Sequence, residues 1–182
     1  MLCFFFACTI GVLILSNKCV IIQLWECKKM KGREFVIKVL FLCTGNTCRS
    51  PMAQIIFEQI CAERKIDAQC RGAGIATFTG APASDNAVTV MKEVGLDLSS
   101  YRSTAITALD LDSFDLIVPM THAHILCLLE LGVSKSKIYD LGKDVSDPYN
   151  KSISCYRETR DELKVCMEQL ADFIEGELAQ EK

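Results

Sequence analysis

Cys43 and Arg49 are separated by five residues, Thr44-Gly45-Asn46-Thr47-Cys48, and Ser50 follows. A loop of that length can curl until successive backbone N–H groups point inward and form a nest for an anion. Gly45 relieves the steric limits of such a curl, and Asn46 holds its shape. Arg49 closes the ring with a planar fork that binds two phosphate oxygens at once, which a lysine cannot do. Cys43 then sits beneath the phosphorus, where the amides and the guanidinium favour its thiolate, the nucleophilic form. Ser50 is placed to donate a hydrogen bond to that sulfur. The chemistry on offer is transfer of a phosphoryl group onto sulfur, with Thr44, Thr47 and Cys48 completing the lining of the anion site.

As a bare pattern this spacing arises by chance, and the elements around it give it meaning. Residues 35–42 (FVIKVLFL) form a nearly continuous β-branched and aliphatic run, the pattern of a strand buried on both faces of a parallel sheet. Ser50 reads as an N-cap with Pro51 at the first helical position, and residues 52–64 carry apolar side chains at helical spacing. The loop therefore joins the carboxyl end of a strand to the amino end of a helix, where unpaired N–H groups and the positive dipole end attract an anion. Residues 68–71 read as a short second strand leading into a loop around Gly72, Gly74 and Gly80, and residues 84–94 as a helix ended by Gly95. A third strand over 114–119, a helix over 121–131 ended by Gly132 and a fourth strand over 137–141 follow. A last helix, about 154–178, puts Leu163, Cys166, Met167, Leu170, Phe173, Ile174 and Leu178 on one face. The alternation implies an α/β chain: a doubly wound single domain with a four-stranded parallel sheet flanked by helices.

The 182 residues suffice for one domain with a full core. Half are apolar, 24% are charged and Pro plus Gly total 14, which excludes disorder and low complexity. A net charge of −3 and a pI near 5.5 leave no basic footprint for nucleic acid. Eleven cysteines without paired C-x-x-C units argue against zinc, and long apolar runs argue against a disulfide scaffold. Cys61, Cys70, Cys127, Cys155 and Cys166 read as small buried hydrophobes in a reducing, cytoplasmic compartment.

Residues 1–29 are an apolar extension that belongs to a different story. Residues 2–25 are interrupted mainly by Asn17 and Lys18, and Lys28, Lys29, Lys31 and Arg33 follow. A membrane anchor needs roughly 20 apolar residues, and the basic cluster would keep the remainder inside. A signal peptide fits less well, because no positive region precedes the run and no small-residue cleavage site follows it. The favoured reading is a true start at Met30, with a catalytic domain over 30–182 and a membrane partner only if residues 2–25 are a genuine anchor.

The segment VLFLCTGNTCRSPMA, together with Asp147-Pro148-Tyr149, resembles the low-molecular-weight protein tyrosine phosphatase family from Met30 to the C-terminus. That resemblance implies a phosphocysteine intermediate, phosphorylated proteins as substrates, no metal or other cofactor, and the aspartate of the DP dipeptide, here Asp147, as general acid. The role is physically sound: the leaving group needs a proton, and the same carboxylate can take one from the attacking water. Asp140 and Asp144 read as solvated loop charges, though spacing alone leaves them open as the acid. Tyr149 would wall the cleft.

Tyrosine-specific members commonly carry a bulky aliphatic residue just before the second cysteine of the loop, where this chain has Thr47. CTGNTCRSPMA, MTHAH at 120–124 and YRETRDEL at 156–163 are similar to the protein-arginine-phosphatase branch. Thr47 then offers a small polar edge to a phosphoguanidinium, and Asp147 pairs with its departing nitrogen; the plainer alternative is that Thr47 only shapes the loop. His122 and His124 stand at i and i+2 of a helix, cannot face one ligand and read as structural or surface residues. Cys48 is a candidate for a reversible disulfide with Cys43. Three rivals stay open: a tyrosine phosphatase, a thiol-coupled arsenate reductase, which needs two further closely spaced cysteines where this chain has only Cys127, and a non-catalytic phosphate-binding module, which needs no nucleophile.

Overall fold

The computed structural model describes residues 36–179, so the expectations for residues 1–29 lie outside the described residues. Among the described residues no helix is long and apolar enough to cross a membrane. The elements are β1 (Ile37–Cys43), α1 (Arg49–Arg64), β2 (Ala68–Gly74), α2 (Asp85–Lys92), β3 (Leu116–Pro119), α3 (His122–Glu130) and α4 (Ile153–Ala179). The strands pair in parallel in the order β2-β1-β3, with Cys43 opposite Gly74 and Leu42 opposite Pro119.

Central position explains the apolar run of β1. Val39, Phe41 and Cys43 face a core built with Met52 and Phe57 of α1 and Leu170 of α4, whereas Leu40 and Leu42 face Ile117 and Leu128 of α3. Both faces of the sheet are thus covered. Phe41 and Phe57 meet edge to face at 5.6 Å, and fully burying each such ring contributes on the order of 2–3 kcal/mol. From β1 the chain crosses to β2 on one side and later to β3 on the other. The carboxyl end of β1 is therefore the switch point at which open α/β sheets bind ligands.

Three expectations need correction. Residues 137–141 do not form a fourth strand: among the described residues the sheet has three, and this segment makes a single parallel bridge, Ile117 to Ile138, with Tyr139 N donating to Ile117 O at 2.9 Å. Asp140 Oδ1 accepts from Gly142 N at 2.9 Å, and Gly142 has φ 73°, so a local turn draws the chain off the ladder. Gly72 and Gly74 lie inside β2 and not in a loop. A Cβ at Gly74 would meet Thr44 O at 2.8 Å, so glycine there lets the loop after β1 pack down on the strand. Finally, α1 starts at Arg49, with Cys48 and not Ser50 at the N-cap position and Pro51 third in the helix. Pro51 has no N–H for Thr47 O, and that carbonyl accepts instead from Ser84 N at 2.9 Å.

Candidate active site

Cys43 ends β1 with its sulfur at the base of the loop, where it receives Asn46 N at 3.2 Å and stands 2.9 Å from Ser50 Oγ. Asn46 makes the curl: it adopts φ 51°, the left-handed region that asparagine tolerates, and is fully buried. Gly45, expected to carry that strain, has negative φ, and a Cβ there would touch only Thr47 Oγ1 at an ordinary 3.6 Å. The Asn46 amide is fully used. Oδ1 accepts from Thr104 N at 2.7 Å, and Nδ2 donates to Ser50 Oγ at 2.8 Å and to Tyr101 Oη at 2.9 Å. Because Ser50 Oγ accepts from Asn46, its own proton is left for Cys43 Sγ or the more distant Ala73 O at 3.5 Å. Asn46 N–H thus points at the sulfur, and Ser50 can aim its hydroxyl hydrogen there as well.

Arg49 opens α1 and is buried to 4% exposure. Its Nη2 donates to Asp147 Oδ2 at 2.5 Å and to Thr44 Oγ1 at 3.4 Å, and Nη1 to Val145 O at 3.4 Å. The other oxygen of Asp147 accepts from Tyr149 N at 3.1 Å, which fixes the carboxylate plane across the cleft. Thr44 Oγ1 also lies 3.0 Å from His124 Nε2, whose Nδ1 is 3.0 Å from Thr121 Oγ1. Burial, and then the adjacent Arg49 charge, hold His124 neutral down to about pH 4.

Cys48 ties the loop to neighbouring helices. Its sulfur lies 3.3 Å from both Ser84 Oγ, the N-cap of α2, and Tyr156 Oη of α4, whose hydroxyl burial pushes up to about 12. The loop is thereby pinned to two further helices. Above it opens a cleft of about 350 Å³ lined by Cys43, Thr44, Gly45, Thr47, Cys48, Arg49, Ala76, Thr77, Asp147 and Tyr149.

The structure thus gathers the sequence-selected residues around one cleft, with Asn46 and Ser50 supporting it from below. It adds His124, Tyr101, Thr104, Ser84 and Tyr156, which reach the loop from 36 to 108 positions away in sequence. In the sequence Ser84 stood out only as the start of a helix, and His124 and Tyr156 only within segments of family resemblance, while Tyr101 and Thr104 carried no signal. Asp144, read as an idle charge, caps that helix by accepting from His122 N at 2.6 Å. Of the remaining cysteines, Cys61 and Cys166 are buried as expected, whereas Cys70, Cys127 and Cys155 are half-buried. Among the described residues no three His, Cys, Asp or Glu side chains converge as a metal site.

Residues 38–182 match the model of the low molecular weight phosphotyrosine protein phosphatase family. A protein-arginine-phosphatase of Bacillus subtilis (strain 168) is 35% identical over 141 residues, 73% of this chain and 93% of its own length. An arsenate reductase of Staphylococcus aureus (strain Newman) is 36% identical over 132 residues, 71% of this chain and 92% of its own. Among solved structures, the arginine phosphatase YwlE, as a cysteine-to-serine variant with a phosphorylated active-site serine, superposes with a TM-score of 0.72 at 33% identity, covering 76% of this chain and 96% of that one. With its buried thiol, arginine and aspartate arranged around one cleft, this chain belongs to the low molecular weight phosphotyrosine protein phosphatase family.

Proposed function

We propose that this phosphatase removes phosphoryl groups from phosphoarginine in proteins through a phosphocysteine intermediate, within a catalytic domain over residues 30–182. Cys43 Sγ attacks phosphorus and the P–N bond breaks. Asp147 delivers a proton to the departing guanidinium nitrogen, and Arg49 with the loop amides balances the charge on the transferred oxygens. Water then attacks the S–P bond, Asp147 takes its proton, and free phosphate leaves with the thiolate restored. The phosphorylated active-site serine of the related arginine phosphatase is the product such an attack leaves on a serine nucleophile.

The observation that carries the arginine preference is that Thr47 and Asp147 line the same cleft as Cys43. A short hydroxyl-bearing side chain and a carboxylate suit a phosphoguanidinium, which is planar and rich in donors. The second reading, phosphotyrosine, is favoured by Tyr149, 61% exposed at the rim and able to stack on an aryl ring. Arsenate reduction with thiol relay finds little support, since Cys127 has no cysteine neighbour in its part of the chain.

Phosphate release from phosphoarginine-containing and phosphotyrosine-containing peptides, with Cys43→Ser as the control, tests this. A preference for phosphoarginine that Thr47→Ile reduces by about tenfold or more supports it. Preference for phosphotyrosine would discard the role given to Thr47 and keep the mechanism. Absence of Cys43-dependent release from either peptide would return the chain to a phosphate-binding module.

A further inference from the structure

On the basis of the phosphatase reading of this cleft, we propose that His124 is a positioning residue: through Thr44 it holds Arg49 in the ring that receives the phosphoryl group. His124 lies in the first turn of α3, is 3% exposed and never reaches the cleft wall itself. Its ring is fixed at both ends, Nδ1 to Thr121 Oγ1 and Nε2 to Thr44 Oγ1, each at 3.0 Å. Thr121 is held in turn, as the N-cap of α3. The chain of contacts thus runs from a helix terminus, through a buried imidazole, to a hydroxyl that accepts from Arg49 Nη2.

One tautomer serves the relay directly: with Nδ1 carrying the ring proton, Nδ1–H donates to Thr121, Thr44 O–H donates to Nε2, and Thr44 Oγ1 keeps its lone pairs for Arg49. A protonated ring would put a second cation beside Arg49 and leave the Thr44 proton without Nε2 as acceptor. Burial and the Arg49 charge both oppose that state.

The need for such a device follows from what holds Arg49 in the absence of substrate. Its shortest contact is with Asp147, whose side chain is about half exposed. A phosphoryl dianion entering the ring competes for that same Nη2, and Asp147 must then serve the leaving atom. Thr44 Oγ1 and Val145 O remain as fixed points. Thr44 is exposed and would sample several rotamers without a partner. His124 selects the one that faces Arg49.

The test is a binding cycle with inorganic phosphate, measured by calorimetry on the full chain carrying Cys43→Ser so that turnover plays no part. His124→Phe and Thr44→Val are each expected to weaken phosphate by roughly tenfold, and the double variant by no more than either alone, because both break one relay. His124→Gln, which restores a polar group near Thr44, is expected to recover most of the loss. Thermal melts accompany each variant, and the milder Thr44→Val and His124→Gln carry the comparison if His124→Phe does not fold. Unchanged phosphate binding in the His124 variants, or losses that multiply in the double variant, would overturn the inference while leaving the phosphatase reading intact. Failure of the Cys43→Ser starting protein to bind phosphate, together with no turnover by the native chain, would remove the reading and the inference with it.

Discussion

The loop that holds Cys43, the proposed nucleophile, and the loop that holds Asp147, the proposed acid, are built to opposite standards. In the first, Cys43, Asn46, Arg49 and Ser50 are all buried, and the Asn46 amide spends every donor and acceptor on Thr104, Ser50 and Tyr101. In the second, running from Val145 to Asn150, Val145 N donates to Met120 O at 2.8 Å and Asp147 accepts from Arg49 at 2.5 Å, but Ser146 N reaches Glu162 Oε2 only at 3.4 Å. Asp147 and Tyr149 stand about half exposed or more. The difference is chemical. Stabilising a dianion rewards donors that need no reorganisation, whereas an acid that must meet a leaving group and admit a protein substrate is served by a segment of lower local stability.

The largest expected effect is at the acid. Asp147→Asn should lower kcat by about 10²–10⁴-fold on substrates whose leaving group needs a proton. The same change should do far less with p-nitrophenyl phosphate, whose phenolate leaves unaided. An equal loss on both would assign Asp147 to holding Arg49, to which it is already bonded at 2.5 Å, and not to proton transfer.

Stability should divide the other way. Asn46→Ala strands Thr104 N, removes a donor from Ser50 and places alanine at φ 51°, so a loss of about 2–4 kcal/mol is expected by urea denaturation. Tyr149→Ala, which removes an exposed ring, should stay within about 0.5 kcal/mol. Comparable losses at the two positions would erase the contrast between the loops.

The sequence was most informative where a residue's neighbours in the chain are also its neighbours in space. The run from Val39 to Leu42 announced a central strand, and the spacing from Cys43 to Arg49 announced the cradle, because loop and helix are contiguous with them. It did not bring in the groups that arrive from elsewhere: His124, read as a structural or surface residue, and the unremarked Tyr101 and Thr104 lie 80, 55 and 58 positions from the loop residues they bond. Two local readings also failed for local reasons. Serine before proline is a sound N-cap signal, but Ser50 Oγ is occupied by Asn46 and Cys43. Glycine is the usual left-handed residue, but here Asn46 takes that conformation and gains its hydrogen bonds by doing so. A five-residue segment at 137–141, apolar at Ile138, Tyr139 and Leu141, could not reveal that β3 beside it is only four residues long.

A pH-dependent effect sits at the seam between the two loops, where His124 bonds Thr44 of one and feels Asp147 of the other. Burial most of all, and then Arg49 on α1, disfavour its protonation against the pull of Asp144 and Asp147, lowering its pKa from the ordinary 6.5 to about 4. Above pH 6.5 the ring is neutral in both the folded and the unfolded chain, so it contributes no pH dependence. Between 6.5 and 4 the unfolded chain takes up a proton that the folded chain refuses, and stability falls as pH falls, by on the order of 1–3 kcal/mol once both states are protonated. Other carboxylates titrate in the same window, so the informative quantity is the difference between the native chain and His124→Gln, which has no proton to gain. That difference should be flat above pH 6.5 and shrink steadily toward pH 4, while the His124 ring resonances in the native chain hold their neutral shifts to below pH 5. Ring resonances that titrate near 6.5 would mean that the seam is open to solvent and that the two loops are less distinct than their burial implies.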